Sequence, residues 1–182
     1  KRLEYRGYDS SGLLILSKDN KLVRERAAGK VKNLENKLKL IKSKLEGNIG
    51  LAHTRWATHG KPSVKNAHPH ISRNSISVVH NGIIENYIDL KDLQIKQGYE
   101  FISDTDTEVI AHAIDSAIKS SNSLLKATQK AIKKLDGSYG IGVLSPKYPD
   151  QIIAARKGSP LVIGIGVNGN YIASDQMALL SV

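Results

Sequence analysis

Apolar and polar positions alternate along this chain with two different periods. In "SSGLLILSKDNKLVRERAAG" two apolar runs flank a polar turn at residues 18–20 and Gly29 closes the second, the pattern of a β-hairpin. From residue 30 to 46 the period changes. Val31, Leu34, Leu38, Ile41 and Leu45 are spaced by three and four, which gathers them on one helix face and turns the lysines between them to solvent. "NIGLAHTRWATHG" starts as an apolar strand and becomes polar, so residues 53–60 are expected at a strand tip and in the loop beyond. "SISVVHNGII" repeats that design and runs into His80, Asn81 and Gly82, so two polar strand ends can meet.

A helix is expected over residues 86–97, stopped by Gly98. "SDTDTEVIAHAIDSAIKS" carries the capping pair Thr105 and Glu108 ahead of a buried stripe of Val109, Ile110, Ala113, Ile114 and Ala117. "SLLKATQKAIKKL" adds another amphipathic helix that stops at Asp136 and Gly137. "SYGIGVLS", "QIIAARKG", "LVIGIGV" and "YIASD" read as a meander of short strands separated by Pro, Gly and Asn turns. Strands and helices do not alternate singly, which predicts a layered α+β domain over a doubly wound parallel sheet.

Length and composition narrow this picture. The 182 residues, 40% of them apolar, suit one domain with a sizeable core, and no repeat, low-complexity tract or linker divides them. No apolar run approaches the roughly 20 residues of a membrane helix. Lys and Arg total 27 against 17 acids, a net charge of +10 that attracts anions. Those lysines alternate with apolar residues, and one Trp, one Phe and seven Tyr offer few surfaces for base stacking. A basic nucleic-acid-binding role for the lysine-rich segment is therefore kept only as an alternative. Cysteine is absent, which excludes disulfides and thiolate metal sites.

Several polar clusters are candidates for chemistry. Arg55 offers a rigid two-pronged donor to a carboxylate or phosphate, or else a structural ion pair; its neighbours Trp56, Thr58 and His59 favour recognition. Asn81 and Gly82 suit an oxyanion hole, with an amide side chain and a backbone N–H aimed at a carbonyl oxygen, but Asn-Gly is also a common turn pair. Asp106 can hold an ammonium group or complement a helix dipole. His68 and His70, two apart, could share a metal if extended, but no suitably spaced acid adjoins them, and a substrate-facing or loop histidine is preferred. No metal or cofactor is expected. Nucleophile-elbow, P-loop and zincin fingerprints do not occur.

Taken in order, "LEYRGYDSSG", "GLAHTRWATHGKPSVKNAHPH", "VVHNGIIENY", "SDTDTEVIAH", "LDGSYGIGVLS" and "YIASDQMALL" resemble the glutaminase domain of the glutamine:fructose-6-phosphate aminotransferase family, end to end. The resemblance implies an N-terminal nucleophile fold, a four-layer αββα sandwich truncated at both ends. It also implies that residues 1–182 are a single incomplete class II amidotransferase domain. By the same resemblance, Arg55 grips the α-carboxylate of L-glutamine and Asp106 its α-ammonium. Thr58, His59 and His68 shape the pocket. Asn81 and Gly82 form the oxyanion hole, Trp56 gates ammonia and Arg6 lies beside the nucleophile.

That nucleophile is a terminal cysteine in the family, with its own α-amine as base. It is missing here, and Ser10 and Ser11, without a free α-amine, are not replacements, so this chain is expected to be inactive in glutamine hydrolysis. The parent is expected to be a cytoplasmic homodimer whose sugar-isomerase domains turn fructose 6-phosphate and ammonia into glucosamine 6-phosphate. Another class II amidotransferase with a different ammonia acceptor is the nearer alternative.

Overall fold

The hairpin signal is realised as β1 (Ser10–Leu16) paired antiparallel with β2 (Leu22–Ala28) in the computed structural model, which describes residues 2–180. On its other edge β1 pairs with β3 (Ile49–Arg55), with Ser10 opposite Arg55 and Leu14 opposite Leu51. A second antiparallel sheet has the order β4 (His70–Ser72), β5 (Ile76–Ile84), β6 (Gly137–Leu144), β7 (Ile153–Lys157). The expected meander breaks after β7. Among the described residues, β8 (Val162–Gly166) and β9 (Gly169–Ala173) pair only with each other, as a separate two-stranded ribbon.

Side-chain alternation assigns the layers. Leu14 and Leu16 of β1 and Leu51 of β3 meet Leu144, with Ile71 and Val79 packed beside them, so the two sheets face one another. On the far face of the second sheet, Val78, Ile84, Tyr139, Ile141 and Val143 pack against Val109, Ile110 and Ile114 of α3 (Glu108–Ile118) and against Leu124, Ala127 and Ala131 of α4 (Leu124–Ile132). α2 (Tyr87–Lys96) lies on α3, and α1 (Val31–Leu40) lies on β2 and β1. The order is helix, sheet, sheet, helix. Each fully buried Ile or Val in the larger core contributes roughly 1.5–3 kcal/mol of transfer free energy.

Three local expectations are corrected. α1 ends at Leu40, not at residue 46, and Lys42–Lys44 form a separate 3-10 turn. Past Leu34 its apolar stripe is only half-buried, and a short helix without tertiary packing does not propagate. Thr105 is not the N-cap of α3: that position is Thr107, which makes no side-chain cap bond, and Asp106 precedes the helix. His80, Asn81 and Gly82 neither end a strand nor turn a hairpin. They lie inside β5, opposite Ile141, Gly140 and Tyr139 of β6.

Candidate functional site

The same alternation that buries Leu51 carries His53 and Arg55 to the inner side of β3, facing the second sheet. In β5 it turns His80 toward the helices with Val78 and Ile84, and Asn81 toward the first sheet with Val79. Between the sheets opens a cleft of about 660 Å³. The nine residues that the resemblance assigns to the site all line it: Arg6, Arg55, Trp56, Thr58, His59, His68, Asn81, Gly82 and Asp106.

Arg55 is 4% exposed. Its Nη2 donates to the carbonyls of His59 and, at 2.9 Å, Gly60, which folds the 56–60 loop back over β3. Nη1 lies 3.6 Å from Asp9 Oδ1 and is buried with no hydrogen-bond partner. Burial pulls the guanidinium below its ordinary pKa, while Asp9 and Asp106 oppose that pull. Asp106, 3% exposed, accepts the backbone N–H of Ile84 through Oδ2 at 2.8 Å. A fixed cation and a fixed anion thus border one cavity.

Gly82 has φ of +144°, a region other residues rarely adopt. Its missing Cβ lets the Ser138 carbonyl come within 2.1 Å of where that atom would stand. Trp56 is 61% exposed at the rim and meets Tyr8 edge-on at 5.5 Å. Thr58 is exposed and His59 stacks edge-on against Tyr87 at 5.0 Å. Arg6 reaches across to the turn after β9, donating to Ser174 O at 3.0 Å, with Asp175 Oδ2 at 3.5 Å.

Histidines crowd the inner wall. His53 and His68 lie 4.3 Å apart and His68 and His70 4.7 Å apart, centroid to centroid. Burial lowers the pKa of His53 to about 4 and that of His68 and His70 well below the usual value. His80 is lowered by burial too, against the attraction of Asp106. These rings are neutral at pH 7. His68 and His70 do not offer themselves jointly to a metal: the Nε2 of each is taken by a different threonine, Thr107 and Thr105. Among the described residues no group of three or more His, Cys, Asp and Glu side chains is disposed to hold a metal ion.

Sequence reasoning passed over Thr105 and Thr107, which also line the cleft and hold its histidines. The usable signal was the run "SDTDTE", six consecutive hydrogen-bonding side chains, which a capping motif alone does not require.

Comparison with known proteins agrees with this geometry. The family model for a glutamine amidotransferase domain matches residues 53–181. Glutamine–fructose-6-phosphate aminotransferase (isomerizing) of Haemophilus influenzae is 54% identical over 181 residues, covering 100% of this chain and 29% of the relative. The enzyme of the same name from Buchnera aphidicola subsp. Acyrthosiphon pisum is 57% identical over 183 residues, covering 100% of this chain and 30% of the relative. This chain therefore spans about 30% of the length of these curated relatives. Among solved structures, the glutamine phosphoribosylpyrophosphate amidotransferase of B. subtilis, complexed with ADP and GMP, superposes with a TM-score of 0.82 at 26% identity, covering 98% of this chain and 38% of that one. A class-II glutamine aminotransferase domain protein from Silicibacter pomeroyi shares the fold at a TM-score of 0.65 and 16% identity, over 90% of this chain and 79% of that one. The helix–sheet–sheet–helix order, the cleft and the match over residues 53–181 lead to one assignment: the chain belongs to the glutamine amidotransferase domain family and has the α+β fold of the N-terminal nucleophile amidotransferases.

Proposed function

We propose that residues 1–182 form a glutaminase domain that binds L-glutamine and serves an amidotransferase converting fructose 6-phosphate and glutamine to glucosamine 6-phosphate and glutamate. The observation that carries this reading is the convergence of Arg55, Asp106 and the Asn81–Gly82 pair on one cleft. A free amino acid presents a carboxylate and an ammonium at fixed separation. The Nη1 of Arg55, which makes no hydrogen bond beside Asp9, suits the first and the Asp106 carboxylate the second. The Asn81 side chain and the Gly82 N–H then receive the charge that develops on the carboxamide oxygen during acyl transfer. Thr58, His59 and His68 complete the pocket, Trp56 stands where it can gate ammonia, and Arg6 flanks the reacting end.

The sugar phosphate is favoured as acceptor by identities of 54% and 57% to the aminotransferases, against 26% to the phosphoribosylpyrophosphate enzyme. Sugar-isomerase domains in the same parent, a homodimeric parent and a cytoplasmic setting belong to the same proposal. No helix among the described residues is long and apolar enough to cross a membrane.

Calorimetric titration of L-glutamine into the 182-residue chain tests the pocket. Losing a hydrogen-bonded charge costs about 1.5–3 kcal/mol, so Arg55→Ala and Asp106→Asn should each weaken binding by about ten- to a hundredfold. Glutamate release should stay at background, since the chain contains no cysteine. Absence of glutamine binding, or binding indifferent to both substitutions, overturns the reading.

A further inference from the structure

Asn-Gly occurs twice in the chain, at residues 81–82 and 168–169, and the fold treats the two pairs differently. An asparagine before glycine can close on itself, because glycine leaves its own backbone nitrogen without a Cβ beside it. The glycine nitrogen attacks the asparagine Cγ. A C–N bond forms, the C–NH₂ bond breaks, and the nitrogen's proton leaves with the amide group as ammonia, which gives a cyclic succinimide. Water then opens the ring at either carbonyl. Opening at Cγ yields aspartate, and opening at the former backbone carbonyl yields isoaspartate, in which the main chain runs through Cβ and Cγ. Nothing is oxidised or reduced; water is consumed and ammonia released.

Closure requires the backbone to rotate about the bond between the asparagine Cα and its carbonyl carbon. At Asn81 that bond lies inside β5, between the pairs His80–Ile141 and Ile83–Ser138. Gly82 is packed so closely on β6 that a Cβ there would stand 2.1 Å from Ser138 O. The amides that follow are held as well, Ile84 N–H by Asp106 Oδ2 at 2.8 Å and Glu85 N–H by Asp136 O at 2.9 Å. Closure here must open a strand of the larger core, which is the costliest kind of local opening.

Asn168 has the opposite setting. Val167 and Asn168 are the whole connection between the paired Gly166 and Gly169. Residues 167–170 are exposed, and a Cβ at Gly169 would meet nothing nearer than Tyr171 Oη at 3.8 Å. Among the described residues no third strand joins this ribbon, so a swing at its tip disturbs only the two strands it links.

We propose that Asn168 is a site of self-modification, converted with water to aspartate and isoaspartate, while the strand setting of Asn81–Gly82 protects the same dipeptide in the cleft. An isoaspartate would lengthen the connection by one main-chain atom and place a carboxylate beside Asn170–Ala173, which line the cleft. The protected pair is the one that the proposed function makes an oxyanion hole; the contrast between the two sites does not rest on that reading.

The test incubates the purified 182-residue chain at pH 8, with and without guanidinium chloride, and follows both sites by peptide mass spectrometry. Replacement of NH₂ by OH marks conversion, and fragment spectra separate Asn168 from Asn170 and Asn81 from Asn74 and Asn86. In the native chain Asn168 should convert at least about tenfold faster than Asn81, and in guanidinium chloride the two rates should come within about threefold of each other. A native ratio below about tenfold, or no conversion at Asn168, overturns the proposal. So does a ratio above about threefold in guanidinium chloride, because flanking residues and not the fold would then set it. Neither rate depends on glutamine, so failure of the glutamine reading leaves this result untouched.

Discussion

Gly82→Ala and Gly98→Ala form a matched pair that separates backbone strain from steric conflict. Both glycines have positive φ, +144° and +79°. A Cβ at Gly98 meets nothing within 4 Å, so alanine there adds only the strain of a left-handed residue, about 1 kcal/mol. A Cβ at Gly82 would stand 2.1 Å from Ser138 O, 2.8 Å from Ser138 C and 2.9 Å from Tyr139 Cα. All three atoms are backbone of β6, the strand that β5 pairs with, so no rotamer change relieves the clash. Strain of similar or greater size plus an overpacking cost of about 1–3 kcal/mol gives a total of about 3–5 kcal/mol. With a urea slope near 2 kcal/mol/M, the unfolding midpoint should fall by about 1.5–2.5 M for Gly82→Ala and by about 0.5 M for Gly98→Ala. Circular dichroism across a urea series measures both. A loss at Gly82 no greater than at Gly98 refutes the reasoning, because β6 would then have room that its close approach denies.

The Glu108 carboxylate, 2% exposed, accepts from Ile102 N, Ser103 N and Ser103 Oγ, and a Gln in its place sets an NH₂ group against a donor; Glu108→Gln should cost about 2–3 kcal/mol in urea unfolding, and a loss under about 0.5 kcal/mol contradicts the assignment. Stability should also depend on pH through the buried histidines. His53 titrates near 4 when folded against about 6.5 when unfolded, so the unfolded chain binds the extra proton between those values and stability falls as pH drops through that window. The shift corresponds to about 3 kcal/mol for His53 alone, with His68, His70, His80 and His112 acting in the same direction. Urea midpoints at pH 7 and pH 5 check this: the midpoint should be lower at pH 5, and an equal or higher one rejects it.

Much of the fold is legible because periodicity reports burial. The stripe Val109, Ile110, Ile114 and Ala117 is buried where the helical spacing puts it, and the hairpin of β1 and β2 turns at the polar residues that interrupt its apolar runs. Ala113 is only half-buried, at the edge of that stripe. Ambiguity enters where local and tertiary partners compete for the same group. Thr105 and Glu108 have the spacing of a capping box, yet the threonine is taken by a histidine from β4 and the glutamate by the chain just before it. Asn81 and Gly82 look like a turn because turns are what that dipeptide does alone; β6 instead accepts the glycine as an interior strand position. The gathering of the nine site residues was legible only as a family likeness, since none of the contacts joining β3, β5 and the 103–108 segment is local in sequence. Asp9, which lies beside Arg55 where β1 meets β3, carries no local signature, and Thr107, which touches His68 and His80, shows itself only through the polar run of residues 103–108.

Arg55 spends one half of its guanidinium on the carbonyls of His59 and Gly60 and holds the other half 3.6 Å from Asp9, without a hydrogen bond. Loop order and cleft occupancy therefore share a single side chain. An anion that settled on that second half would make the positions of residues 56–60 more sharply defined, and by reciprocity any change that loosens those residues would dull the grip on the anion. Amide exchange in that short stretch becomes a direct gauge of whether the cleft is filled.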